Sequence, residues 1–344
     1  MSKQNLGQFY TTNADYILEN IPINVNGAEI IIEPFAGNGD LLTWIDKQDM
    51  QIPVRAYDLD PKKENIVKQD TLKNPPNYDN TYVITNPPYL ARNKNGDKEL
   101  YDMYKTNDLY KCFIYSVIKS KCLGGIFIIP AGFFFSNRIL DVNLRNEFMS
   151  KFKITMVKYF EESVFDDTST TVVAFSFERS PTELNEQNVE WVFIPKKERQ
   201  VFTMSRNYNW IVGGDIYRLD LPNHIVIRRH VEGQPLKKDE QQTFMTLSAL
   251  DSGTRDGRIS LNYKPNYIYP AKDCSRTYAT IRIMGKHLTE EEQMILCNRF
   301  NDFIEKKRAE YRSLFLPQFR ESKEYARKRI PFELAYEIIA HLLI

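Results

Sequence analysis

The sequence lacks most of the features that would assign it at a glance. Its four cysteines, Cys112, Cys122, Cys274 and Cys297, contain no Cys-x-x-Cys pair, and its four histidines no His-x-x-x-His pair. That spacing argues against a zinc site and reads as reduced thiols in an intracellular compartment. The amino terminus, Met-Ser-Lys-Gln-Asn, lacks the apolar core of a signal region. The longest apolar stretch, Ile126 to Phe135, is too short to span a bilayer and is interrupted by Pro130 and Gly132. There is no internal repeat and no low-complexity segment. A strong charge of one sign is missing too, since 46 Lys and Arg face 45 Asp and Glu. What remains is an ordinary globular chain of 344 residues, long enough for two domains.

One stretch organises the rest. Thr81 to Tyr89 reads Thr-Tyr-Val-Ile-Thr-Asn-Pro-Pro-Tyr, a buried β-branched strand that stops abruptly. Pro87 and Pro88 fix φ and remove two backbone donors, and Asn86, preceding a proline, is held extended. The stiff turn presents an amide, two carbonyls and an aromatic ring at the carboxyl end of a strand, where open α/β sheets bind ligands. An exocyclic amino group on an aromatic ring, such as N6 of adenine, is a poor nucleophile because its lone pair is delocalised. The Asn86 side-chain oxygen and the Pro87 carbonyl can each accept one of its N–H bonds. Two such acceptors favour a tetrahedral nitrogen while Tyr89 stacks on the base. Taken alone, the four residues equally describe a strand-ending turn with a surface tyrosine.

The surroundings narrow the choice. Glu29 to Glu33 is a short apolar run typical of a buried parallel strand. It leads into Pro34-Phe35-Ala36-Gly37-Asn38-Gly39-Asp40 and a helix from Leu41. Strand, glycine loop, helix is the layout that brings a nucleotide-like ligand to the backbone. The full three-glycine fingerprint and a phosphate-binding lysine are both missing. Glu33 and Asp40 disfavour a pyrophosphate and suit a cationic ligand. A second strand, Val54 to Tyr57, ends at Asp58, the position of a ribose-binding acid; Asp60 reads as a helix-start residue with Pro61 at the first helical position. A third, from Ile66, ends at Asp70.

Beyond the turn, Leu90 to Asp108 reads as a mobile loop, followed by a helix from Leu109 to Lys121 capped by Asn107 or Asp108. Ile126 to Pro130, Ile154 to Phe160 and Thr171 to Phe177 read as further strands. Residues 1–180 therefore form one doubly wound α/β domain. A second, mixed domain, 181–344, has shorter strands, loops and two terminal helices. The first of these opens on the capping box Thr289-Glu-Glu-Glu292, and the last starts at Pro331. Charge divides unevenly: 20 Lys and Arg against 23 Asp and Glu in the first domain, 26 against 22 in the second. The basic excess on the second half is compatible with a nucleic-acid partner. Its stretch Ser252-Gly-Thr-Arg-Asp-Gly-Arg258 has glycines for close approach and, in Arg255 and Arg258, groups able to read guanine or bind phosphate.

In this order, the landmarks resemble the amino-methylating DNA methyltransferases that use S-adenosylmethionine. They resemble more closely the N6-adenine enzymes whose cofactor motif precedes the catalytic motif and whose target-recognition domain comes last. The resemblance covers about residues 7–178 and implies a doubly wound methyltransferase-type sheet, parallel with one antiparallel strand. Gly7-Gln8-Phe9-Tyr10-Thr11 looks like the family's amino-terminal cofactor segment, and Glu33-Pro-Phe35-Ala36-Gly37-Asn-Gly39 like its methionine-binding loop. Asp58 stands where the ribose is bound, Asp70 where the cofactor's adenine is contacted, and Asn86-Pro87-Pro-Tyr89 where catalysis occurs, with Asn86 also beside the cofactor. Phe165, in Ser163-Val-Phe165, resembles the second aromatic flanking the target base. The implied activity is site-specific transfer of a methyl group to N6 of an adenine flipped out of double-stranded DNA, within a restriction–modification system. That leaves room for a partner endonuclease, with the protein in the cytoplasm or in the host cell of a virus. RNA adenine, DNA cytosine N4 and protein glutamine methylation pose the same planar-nitrogen problem and stay open.

Overall fold

The computed structural model describes residues 11–165, 170–251, 258–270, 275–319 and 327–344. Two compact units emerge, one through Trp210 and one comprising Ile211–Glu321 and Arg327–Ile344.

In the first unit, β1 (Ile30–Glu33), β2 (Val54–Asp58), β3 (Ile66–Lys68), β4 (Thr81–Thr85), β5 (Gly124–Pro130), β6 (Phe152–Phe160), β7 (Val172–Arg179), β8 (Glu186–Ile194) and β9 (Glu198–Ser205) build one sheet. Their order is β3-β2-β1-β4-β5-β7-β6-β8-β9. Strands β1 to β5 run parallel, and β7 is antiparallel to both β5 and β6. Helices α1 (Ala14–Ile17), α2 (Asp40–Lys47), α3 (Glu99–Met103), α4 (Leu109–Ile118), α5 (Gly132–Phe135) and α6 (Ile139–Met149) accompany the sheet. Every residue of β4 is buried, the signature of a parallel strand covered on both faces. Phe127 of β5 anchors an aromatic core, its ring 4.5 Å from Phe177, 5.0 Å from Phe113 and 5.7 Å from Phe175. Gly125 makes this packing possible: a Cβ there would lie 2.2 Å from the Val83 carbonyl oxygen and 3.0 Å from the Phe177 ring.

Several expectations are corrected. The sheet does not end near residue 180. The two long strands β8 and β9 extend it, and the first unit runs past Pro181 to Trp210. Strand β9, antiparallel to β8, joins β7 as a second antiparallel strand. The composition shift at Pro181 marks a surface turn rather than a boundary. No helix starts at Pro61; β2 and β3 are joined by bends and turns. The stretch from Leu90 to Asp108 is not a bare loop, for it carries a 3-10 turn at Arg92–Lys94, α3 and a bridge from Ala91 to Asp108. The helix from Leu109 ends at Ile118, short of Lys121.

In the second unit, β10 (Val226–Arg229), β11 (Glu240–Ser248), β13 (Ser260–Tyr263) and β14 (Tyr278–Met284) form an antiparallel sheet ordered β10-β14-β11-β13. A smaller sheet joins β12 (Leu250–Asp251), β15 (Gln318–Phe319) and β16 (Arg327–Arg329). Helix α7 (Glu290–Tyr311) brings Leu296, Phe300 and Ile304 to a core shared with Leu247, Leu261, Ile281 and Ile283. Helix α8 (Phe332–His341) adds Leu334 and Ile338. The capping box is formed: Glu292 N donates to Thr289 Oγ1 at 3.2 Å and Thr289 N to Glu292 Oε2 at 2.7 Å. Cys112, Cys122 and Cys297 are buried free thiols that burial pushes up to about 12; Cys274 lies outside the described residues. Among the described residues no helix is long and apolar enough to cross a membrane.

Candidate active site

In the strand order β3-β2-β1-β4-β5 the chain reverses direction of travel between β1 and β4, and open α/β sheets bind ligands outside the carboxyl ends of the strands at such a switch point. Two loops meet at this point. After β1, Gly37 and Gly39 adopt φ of +53° and +80°, conformations that favour glycine, and Gly39 becomes the N-cap of α2. The loop is pinned from three sides. Ala36 N donates to the Tyr57 carbonyl at 2.8 Å, Gly37 N to Asp58 Oδ2 at 2.8 Å, and Thr71 Oγ1 to the Pro34 carbonyl at 2.8 Å.

Glu33 ends β1 fully buried. Its Oε1 accepts from Phe35 N at 2.9 Å and from Thr85 Oγ1, at the end of β4, at 2.6 Å. Its Oε2 is buried without a hydrogen-bond partner among the described residues. Burial outweighs the two bonds and raises the carboxyl from 4.5 to about 8, with Asp58 adding a like-charge push. A buried, half-satisfied carboxyl is costly, and a cationic group beside Oε2 would relieve it.

Asp58 is buried at the end of β2, accepting from Gly37 N and from Asp60 N at 2.8 Å. Each oxygen keeps a second lone pair for a ligand hydroxyl. Asp70 caps the turn after β3, accepting from Leu72 N at 3.2 Å and Lys73 N at 3.1 Å. Phe35 packs edge-on against Phe113 of α4, ring centroids 5.2 Å apart.

The Asn86 turn follows β4 directly. Asn86 Nδ2 donates to Thr11 Oγ1 at 3.1 Å, and its Oδ1 accepts from the Tyr89 hydroxyl. That hydroxyl also lies 2.7 Å from the Ile128 carbonyl of β5. Pro87 is buried. Tyr89 is not the surface ring that the motif alone allows. It is 7% exposed, edge-on to Tyr110 at 6.2 Å, and burial raises its phenol well above the usual range. Behind the turn, Asp108 Oδ1 accepts from Leu90 N at 3.1 Å, and burial lifts its carboxyl to about 6.

The strand order β3-β2-β1-β4-β5-β7-β6, with β7 antiparallel, resembles the sheet of the class I methyltransferases. Residues 38–165 match the Eco57I restriction-modification methylase family, a span that opens inside the glycine loop and contains the Asn86 turn. No curated protein matches the sequence significantly. Among solved structures, a modification subunit of a type I restriction enzyme from Vibrio vulnificus is similar with a TM-score of 0.42 and 14% identity over 56% of this chain and 48% of that one. A type I restriction-modification methyltransferase subunit from Streptococcus thermophilus gives 0.37 and 15%, over 55% and 48%. A class I S-adenosylmethionine-dependent methyltransferase from Listeria monocytogenes gives 0.38 and 16%, over 52% and 61%. The chain thus spans between 48% and 61% of the length of these three.

Around the sheet of the first unit, Thr11, Glu33, Phe35, Ala36, Gly37, Gly39, Asp58, Asp70, Asn86, Pro87 and Tyr89 stand on or beside the carboxyl ends of β1 to β4. Gln8, Phe9 and Tyr10 lie outside the described residues. Phe165 is 6% exposed, its carbonyl accepting from Ser163 Oγ at 3.0 Å. In the second unit Arg258 is ion-paired with Glu305 at 3.1 Å, and Arg255 lies outside the described residues. Thr85 and Asp108 are the partners that motif reading missed. A threonine ending an apolar strand and an aspartate at a helix start are too common to signal a role by themselves.

Proposed function

We propose that the chain is a DNA methyltransferase of the restriction–modification type that transfers a methyl group from S-adenosylmethionine to N6 of a flipped adenine. The observation that carries this reading is the meeting of the Asn86-Pro-Pro-Tyr89 turn with the Glu33–Gly39 loop, tied by the Thr85–Glu33 hydrogen bond. The residues present fit the cofactor's chemistry. The orphan Glu33 oxygen suits an ammonium or sulfonium cation, the left-handed glycines admit a ligand against the backbone, and Asp58 suits a diol. When bound, the cofactor supplies an electrophilic methyl group. Asn86 Oδ1 and the Pro87 carbonyl accept the two N–H bonds of the target amino group and hold its lone pair toward that methyl. The Tyr89 hydroxyl keeps its proton and donates its hydrogen bond to the Ile128 carbonyl alone, leaving an Asn86 Oδ1 lone pair for the base. Tyr89, steadied by Tyr110, offers a ring face for stacking, and Phe165 is proposed on the other side. Positioning and fixed dipoles supply the acceleration; no strong general base is required, because the nitrogen that gains the methyl group as the sulfur–carbon bond breaks is cationic and acidic enough to lose its proton to solvent.

The test offers radiolabelled S-adenosylmethionine with duplex DNA, RNA and a protein mixture, followed by nucleoside analysis. N6-methyl-2′-deoxyadenosine from duplex DNA supports the reading. Label confined to RNA or to protein glutamine would replace it, and N4-methylcytosine would change the target base.

A further inference from the structure

The larger sheet of the second unit has two unlike faces. Leu247, Leu261, Ile281 and Ile283 point toward α7 and α8, while Thr246, Asn262, Thr280, Arg282 and Arg228 alternate with them on the opposite face. The segment 264–270 crosses this polar face, Lys264 N donating to the Phe244 carbonyl at 2.9 Å and Tyr269 N to Thr280 Oγ1 at 2.7 Å. From Arg258 to Lys286 the sequence holds six Lys or Arg and four Tyr but one acidic residue, Asp273, which lies outside the described residues.

Aromatics and cations interleave here. Tyr267 and Tyr278 are 39% and 43% exposed, large rings left in water. Lys264 Nζ sits 5.2 Å from the Tyr267 ring centre, and the Tyr269 and Tyr278 rings are 5.5 Å apart. Four cations of the unit are ion-paired: Arg258 with Glu305, Lys307 with Asp215, Arg308 with Asp251 and, on the polar face itself, Arg282 with Glu240. Lys264, Arg276 and Arg228 have no carboxylate at ion-pair distance among the described residues, although Arg228 and Arg276 are exposed. Thr246 Oγ1 and Arg282 Nε, on the same face, are buried without hydrogen-bond partners among the described residues.

Building on the DNA-methyltransferase reading, we propose that Lys264, Tyr267, Arg276 and Tyr278, with Arg228 beside them, form the duplex-DNA contact of the second unit. Unneutralised cations release counterions on meeting phosphate. Tyrosines offer a hydroxyl to the backbone and a ring to sugar or base. Arg228 and Asn262 carry the donor sets that read base edges. Arg258, its charge shared with Glu305, contributes less.

The test is fluorescence anisotropy of the full chain with labelled duplex DNA over a salt series. Lys264→Glu/Arg276→Glu is expected to weaken binding about tenfold or more and to reduce the salt slope by about 2. Tyr267→Ala/Tyr278→Ala is expected to weaken it about fivefold or more with the slope kept. Arg258→Ala should cost less than either pair. Calorimetric S-adenosylmethionine affinity and melting temperature should match wild type, and Lys264→Gln/Arg276→Gln gives the same reading should charge reversal unfold the unit. Wild-type DNA affinity in both double variants, with wild-type protein methylating DNA, would overturn this surface and leave the functional reading standing. If wild-type protein neither binds nor methylates DNA, both fall together.

Discussion

Asn86 is the residue on which the chemistry is proposed to turn. Its amide is oriented by Thr11 and Tyr89, so removing it leaves the glycine loop untouched. Asn86→Ala is expected to lower single-turnover methyl transfer by on the order of 10²-fold, with near-normal affinity for cofactor and DNA; transfer at the wild-type rate would show that the turn is not the active site. Glu33 offers a pH signature. Its folded-state pKa, about 8, lies above the ordinary 4.5. The associated stability is therefore fully present below the unfolded pKa and is lost as pH rises through about 8. Placing a cation beside Oε2 should drive the proton off. Calorimetry at neutral pH in buffers of different ionisation enthalpy should show proton release on S-adenosylmethionine binding, and Glu33→Gln should abolish it. Equal apparent enthalpies in all buffers would deny Glu33 that role. Asp58→Ala should weaken cofactor binding by about 1–3 kcal/mol, the scale of a lost charged hydrogen bond. Unchanged affinity on titration would move the diol site elsewhere.

At the scale of elements, local signals worked best where a few adjacent residues settle the outcome. The capping box at Thr289 was readable because both partners lie within one turn, and α7 begins there. Thr289→Ala should cost about 0.5–2 kcal/mol in urea unfolding while leaving cofactor affinity alone; an unchanged midpoint would mean that the helix start is held by its packing instead. The stretch from Leu90 to Asp108 was misread for the opposite reason. Its polar composition suits a loop, yet Tyr101 OH reaches the Leu90 carbonyl at 2.9 Å and Leu100 is buried. Two apolar side chains and one long-range bond order a segment that periodicity alone leaves open.

For the whole molecule, moving the boundary from Pro181 to Trp210 leaves the charge asymmetry as it was, because residues 181–210 carry four basic and four acidic residues. The acidic first unit holds every described residue assigned to the cofactor, and the basic second unit holds the proposed DNA surface. S-adenosylmethionine at about 100 times its Kd should therefore stabilise the first unit by about 2.7 kcal/mol. Hydrogen exchange should read this as added protection of core amides in β1, β4 and β5. No gain in those strands would place the cofactor away from the β1–β4 switch point.

The sequence by itself determined the parallel half of the sheet, the glycine loop, the acid ending β2 and the stiff turn after β4, whereas β3 stops at Lys68, two residues short of Asp70. Each is written in contiguous residues whose steric limits or burial pattern leave few choices. Only the tertiary structure decided that Thr85 and Glu33 bond across two strands, that Tyr89 is anchored inside rather than exposed, and that β8 and β9 extend the sheet. It also decided that Arg258 is already paired while Lys264 and Arg276 are not. Those outcomes depend on which distant residues become neighbours, and a strand's partner, a ring's burial or a cation's counter-charge is a property of that meeting rather than of any local run.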